Sequence, residues 1–88
     1  MKKAVLNQNI LKKYREHLYD EERSQATIEK YMRDVTYFYQ YLPDEDKVIT
    51  KEVLVAYKSS LSDRYKISSI NSMLAALNGL LEFMKLNN

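Results

Sequence analysis

Few side chains in this 88-residue chain have the type and setting for bond-making chemistry. The single histidine, His17, stands in Glu16-His17-Leu18-Tyr19-Asp20 with no nucleophile or ligand cluster beside it. A general base needs a proton to take and a partner to orient it, so His17 reads as a boundary histidine on a helix. Asp44, Glu45 and Asp46 are consecutive carboxylates, whereas a hard cation needs spaced oxygens and a glycine turn; they read as a solvated acidic loop. The only glycine, Gly79, lies inside a helical stretch, so no glycine-rich phosphate cradle exists. With no cysteine, disulfides and thiolate metal sites are excluded. The sequence assigns no catalytic, cofactor-binding or metal-binding residue, and no enzyme is complete within it.

Binding chemistry is better represented. Lys30 and Arg33 lie three residues apart, off the apolar stripe of their helix, with Ser24, Gln25 and Thr27 in the turn before them. Such a cationic, hydroxyl-bearing ridge at a helix start suits groove or phosphate contact, and the helix N-terminus adds free backbone donors. The competing reading is a solvated helix face in which Lys30 pairs with Asp34 and Glu29 with Arg33 at i,i+4 spacing. Fourteen Lys and Arg against twelve Asp and Glu give a net charge of +2 and a pI of about 8.8. That is short of the domain pI above ~9 that marks a strong nucleic-acid footprint. Of the eight tyrosines, Tyr14, Tyr31, Tyr39 and Tyr57 fall on inner stripes, while Tyr37 and Tyr41 fall off theirs, to pack at an edge or face a partner. A stacking platform for bases would need interleaved basic residues, which the linear sequence does not place around them.

The elements that must position these groups are four helices. One Gly and one Pro leave little turn chemistry for a hairpin-rich β fold, and no apolar run approaches the ~18 residues of a membrane span. The first helix covers about residues 9–19, with Ile10, Leu11, Tyr14 and Leu18 on one stripe. The second is capped by Ser24, with Thr27 available for a further local bond, and stops at Pro43. Its stripe is Ile28, Tyr31, Met32, Val35, Phe38, Tyr39 and Leu42. Thr50 caps the third, which carries Val53, Leu54, Tyr57 and Leu61 and frays near Ser62-Asp63-Arg64, and Glu52 favours its dipole. Ser68 or Ser69 caps the fourth, which carries Ile70, Met73, Leu74, Leu77, Leu80, Leu81 and Met84. Helices two and four share their apolar template at a shift of 42 residues, by duplication or by convergence. With Ile49 and Ile67 these stripes supply the core of a compact all-α bundle, expected to be an intracellular, cytoplasmic domain.

The order of motifs then points to a family. Ala26-Thr27-Ile28-Glu29-Lys30-Tyr31-Met32-Arg33-Asp34-Val35, followed by Phe38 and Tyr41-Leu42, resembles the "n-T-i-x-x-Y-x-x-D-l-x-x-F-x-x-y-L" helix of tyrosine recombinases, the phage integrases. Ile49-Thr50-Lys51-Glu52-Val53 is similar to that family's "i-T-x-e-v" opening of the third helix. Ser68-Ser69-Ile70-Asn71, then Leu74-Ala75-Ala76-Leu77, Leu81 and Phe83-Met84, resembles its fourth helix.

The resemblance implies the N-terminal core-binding domain, a SAM-like helical bundle that grips double-stranded DNA at a recombination core site. On it the chain is one domain over 1–88, with a short flexible tail at 1–7 and the start of an interdomain linker at 86–88. Strand cleavage would belong to a C-terminal catalytic domain of the same parent chain, and further protomers would assemble as a recombinase tetramer on DNA. No membrane and no cofactor are implied. The DNA-facing candidates carried over are Thr27, Lys30 and Arg33, with Ser68, Ser69, Asn71 and Ser72 early on the fourth helix. The family often has basic residues where this chain has Ser72 and Asn78, so weak, salt-sensitive binding is expected of the domain alone. The alternative is a helical protein–protein interaction domain in which exposed Tyr37, Tyr41 and Phe83 dock a partner helix.

Overall fold

A computed structural model describes residues 4–43 and 47–86. Four helices follow one another: α1 (Gln8–Asp20), α2 (Gln25–Tyr41), α3 (Lys51–Ser62) and α4 (Ile67–Leu86). Each of the first three begins where a side-chain oxygen relieves an orphan amide. Asn7 Oδ1 accepts from the Ile10 N–H at 2.9 Å, Ser24 Oγ from the Thr27 N–H at 3.2 Å, and Thr50 Oγ1 from the Val53 N–H at 3.1 Å. The Ser24 hydroxyl also donates to Thr27 Oγ1 at 2.9 Å, so the further local bond expected at Thr27 is present. Leu42 leaves the helical region before Pro43 and ends α2 as the sequence requires.

The start of α4 differs from expectation. It opens at Ile67, with the Ile70 N–H on the Lys66 carbonyl at 3.0 Å, so Ser68 and Ser69 lie inside the first turn rather than capping it. The connection from α3 is tight, with both Arg64 and Tyr65 amides on the Leu61 carbonyl at 3.0 Å, which delivers the chain into α4 early.

The α1–α2 connection closes as a Schellman motif. The Glu22 N–H bonds the Tyr19 carbonyl at 2.9 Å and the Arg23 N–H bonds the Leu18 carbonyl at 3.3 Å. Glu22 holds the left-handed conformation there, φ 59°, a region costing a residue with a Cβ about 1 kcal/mol or more.

Two further features lie outside the helical stripes. Ala4–Val5 (β1) pairs antiparallel with Val48–Ile49 (β2), Ala4 opposite Ile49, and the Leu6 N–H extends the contact to the Lys47 carbonyl at 2.9 Å. The expected tail at 1–7 is therefore ordered chain over residues 4–7, pinned because Leu6 is fully buried and Asn7 caps α1. Residues 1–3 and 87–88 of the expected tail and linker, and the acidic run 44–46, lie outside the described residues. Lys47, read as part of a polar connection, caps α2 instead: its ammonium donates to the carbonyls of Tyr39 and Leu42, both at 2.8 Å, and lies 4.4 Å from the Tyr39 ring centre.

The core is the set of stripes drawn together, with α4 at the centre against α1, α2 and α3. Ile28, Val35 and Phe38 of α2, with Leu42 at its C-cap, share one buried core with Met73, Leu77, Leu80 and Met84 of α4. Because three elements surround α4, its buried arc is wider than one stripe and takes in Ala76 and Phe83 as well. Ile67, expected in the core, is 76% exposed; it opens α4 where no described residue covers it. Phe83 is only 9% exposed, so it is a core residue rather than part of a docking face.

Candidate functional site

The first turns of α4 lie beside the N-terminal half of α2, and an open groove of about 450 Å³ runs between them. Lys30, Arg33, Ser68, Ser69 and Ser72, assigned from separate motifs 35 or more residues apart, all line it. Thr27 does not: it is half-buried and its hydroxyl is occupied by the Ser24 cap. Asn71 is exposed and also lies off the lining, since one residue along a helix turns the side chain by about 100° from Ser72.

The two cations of the ridge are unlike each other. Lys30 pairs with the carboxylate of Asp34 at i,i+4, as the solvated-face reading expected, but Asp34 is the one buried charged side chain among the described residues. The pair therefore fixes the ammonium on the groove wall and cancels its charge at long range. The second expected pair is not formed. Glu29 accepts from Gln25 Nε2 at 2.8 Å, a partner already fixed in the first turn, and Arg33 makes no ion pair among the described residues. Arg33 is thus the exposed charge of this ridge, and it also borders a second groove of about 420 Å³ on the α1 side. Hydroxyls dominate the opposite wall, which suits hydrogen bonding to phosphate oxygens.

Sequence reasoning missed Tyr65, which stands at the end of the α3–α4 connection and closes one end of the groove with Tyr37. Nothing in its linear surroundings marks it, because the groove exists only once α3 has turned the chain back onto α2. His17 is a boundary residue: half-buried, its ring 4.9 Å from Phe83 and its Nε2 3.4 Å from a Glu21 carboxylate oxygen. Among the described residues no three His, Cys, Asp or Glu side chains converge as a metal site would require, and no helix is long and apolar enough to cross a membrane.

Two buried phenols, those of Tyr14 and Tyr57, are perturbed. Burial pushes both phenols up to about 12, with Tyr31 raising the first further and the Asp34 carboxylate the second. Neither lines the α2–α4 groove, so both report on packing.

The described residues form a four-helix bundle that presents a basic, hydroxyl-walled groove between α2 and α4. Comparison gives the family: the model for the phage integrase, N-terminal SAM-like domain, matches residues 11–88, and the chain belongs to that family. It is accordingly a tyrosine recombinase family domain, of the kind that forms the non-catalytic part of integrases. A search of curated proteins and of solved structures finds no match.

Proposed function

We propose that this domain is a DNA-binding module of a site-specific tyrosine recombinase, holding the core recombination site while a C-terminal catalytic domain of the parent chain cuts and rejoins strands. One observation carries the reading: five polar residues from two distant motifs meet in a single groove, with Arg33 uncompensated at its rim. Phosphate oxygens are met by Arg33 and the α4 hydroxyls, and Lys30 contributes as a positioned donor rather than as free charge. With Arg33 the one unpaired cation lining the groove among the described residues, the isolated domain binds weakly; tethering to a catalytic domain, and to other protomers of a tetramer, raises effective concentration enough for a weak clamp to serve.

Titrating labelled duplex DNA across a salt series tests this. Affinity should fall steeply with salt, and Arg33→Glu should weaken binding about tenfold or more and reduce the log–log salt slope by about 1. Amide shifts should cluster at the starts of α2 and α4. Unchanged duplex affinity in Arg33→Glu, with shifts elsewhere, would overturn the proposal.

A further inference from the structure

The tyrosines that the α2 stripe excludes do not point into empty solvent. Tyr37 and Tyr41 of α2, Tyr57 of α3 and Tyr65 of the α3–α4 connection converge on a shallow pocket of about 220 Å³. Its floor is rigid: the Tyr57 ring is buried, 4.9 Å from Phe38 and 5.0 Å from Tyr41. Its walls are accessible, with Tyr37 50%, Tyr41 42% and Tyr65 37% exposed. The pocket adjoins the α2–α4 groove directly, because Tyr37 and Tyr65 line both.

Charge flanks it on both sides. Arg64 lines the pocket and makes no ion pair among the described residues, although Asp63 precedes it in sequence; Arg33 stands one helical turn from Tyr37. Basic residues interleaved with the tyrosines are what a base-stacking surface requires. The fold brings them there from positions the linear sequence keeps apart.

We propose that this tyrosine pocket is a binding site for an unstacked nucleobase of single-stranded or locally opened DNA. The strand's phosphates run along Arg33 and Arg64, and the base lies against Tyr41 and Tyr65. The site deepens the DNA-binding reading above and rests on it, adding a strand state that duplex contacts alone do not distinguish. An aliphatic partner surface would be matched better by leucine and isoleucine than by four phenols whose hydroxyls and amphipathic rings tolerate water. A π face with an adjacent arginine matches any base, so the site is expected to be tolerant of sequence.

The test uses the full 88-residue chain and two probes, a decathymidine strand and a duplex of mixed sequence. The protein has no tryptophan, so its emission comes from eight tyrosines, four of which line the pocket. Decathymidine should quench that emission. Tyr41→Ala, at an exposed tyrosine that lines this pocket and not the groove, should weaken strand binding about fivefold or more while duplex affinity stays within about twofold, and Tyr65→Ala, on the wall shared with the groove, should weaken strand binding at least as much. Tyr41→Phe keeps the ring and should keep the affinity, which separates stacking from any loss of fold, and thermal melts of each variant check the fold independently. Absence of quenching, strand affinity unchanged in both alanine variants, or equal losses for strand and duplex in Tyr41→Ala would each overturn the site. A protein helix that binds the pocket while decathymidine does not would overturn it too. Failure here is distinct from failure of the groove, which is read from duplex binding by Arg33→Glu.

Discussion

Two aromatic clusters sit in this small bundle, built from the same side chains and put to opposite uses. In the first, Tyr14 packs 5.5 Å from Phe83, His17 lies over the same ring, and Gly79 of α4 faces the Tyr14 hydroxyl. In the second, Tyr37, Tyr41 and Tyr65 surround Tyr57 but leave their outer faces open. The rings of the first are buried, Tyr14 2% and Phe83 9% exposed, because α1 and α4 pack together where α4 carries a glycine, although a pocket of about 360 Å³ lies along their edge. The second lies where α2, α3 and the α3–α4 connection meet with no fourth element to cover them. A tyrosine's role is set here by what the neighbouring backbone allows to approach.

That contrast can be broken most sharply by truncation. Tyr14→Ala removes a ring only 2% exposed and should destabilise the fold by about 3–5 kcal/mol in urea unfolding, whereas Tyr37→Ala should cost under about 1 kcal/mol. Comparable losses would mean that the open cluster is structural as well.

An alkaline titration compares the two buried phenols. Their folded pKa values lie near 12 against an unfolded value near 10, so the native state holds protons that the unfolded state releases. The stabilisation they give is complete below pH 10 and is lost as pH rises toward 12, at about 1.4 kcal/mol per pH unit for each phenol. Unfolding curves between pH 9 and 12 should show this decline, with a shallower slope in Tyr57→Phe.

The smallest of the three effects concerns Gly79. A Cβ there would lie 2.5 Å from the Tyr14 hydroxyl oxygen, so the ring, 2% exposed and packed on Phe83, must shift to admit it. Gly79→Ala gains up to ~1 kcal/mol of helix propensity but meets this overlap, giving a net loss of about 1–2 kcal/mol. Tyr14→Phe in the same background, by removing the oxygen, should restore most of it in thermal melts.

Much of the architecture was legible because helices announce themselves by period and cap. The α2 stripe from Ile28 to Leu42 is wholly buried or half-buried, and Ser24 and Thr50 cap as their chemistry requires. The β1–β2 pairing was not legible, since two residues per strand have no alternation to read. Ile67 and Phe83 were misplaced for a common reason. A single-stripe template for α4 does not tell that its first residue outruns its neighbours or that α1 covers a second face. At the groove, Lys30, Arg33 and the serines were nameable from helix starts, whereas Tyr65 and Arg64 take their positions from a turn whose direction no local pattern encodes.

The β1–β2 clasp has a practical consequence. Leu6 is sealed in the interior and the next residue already caps α1, so the N-terminal strand is a fastening between distant parts of the chain. A dye, tag or fusion joint placed before Ala4 leaves that fastening intact. One introduced between Val5 and Asn7 would pry the first helix from its anchor and loosen the α2–α3 connection with it.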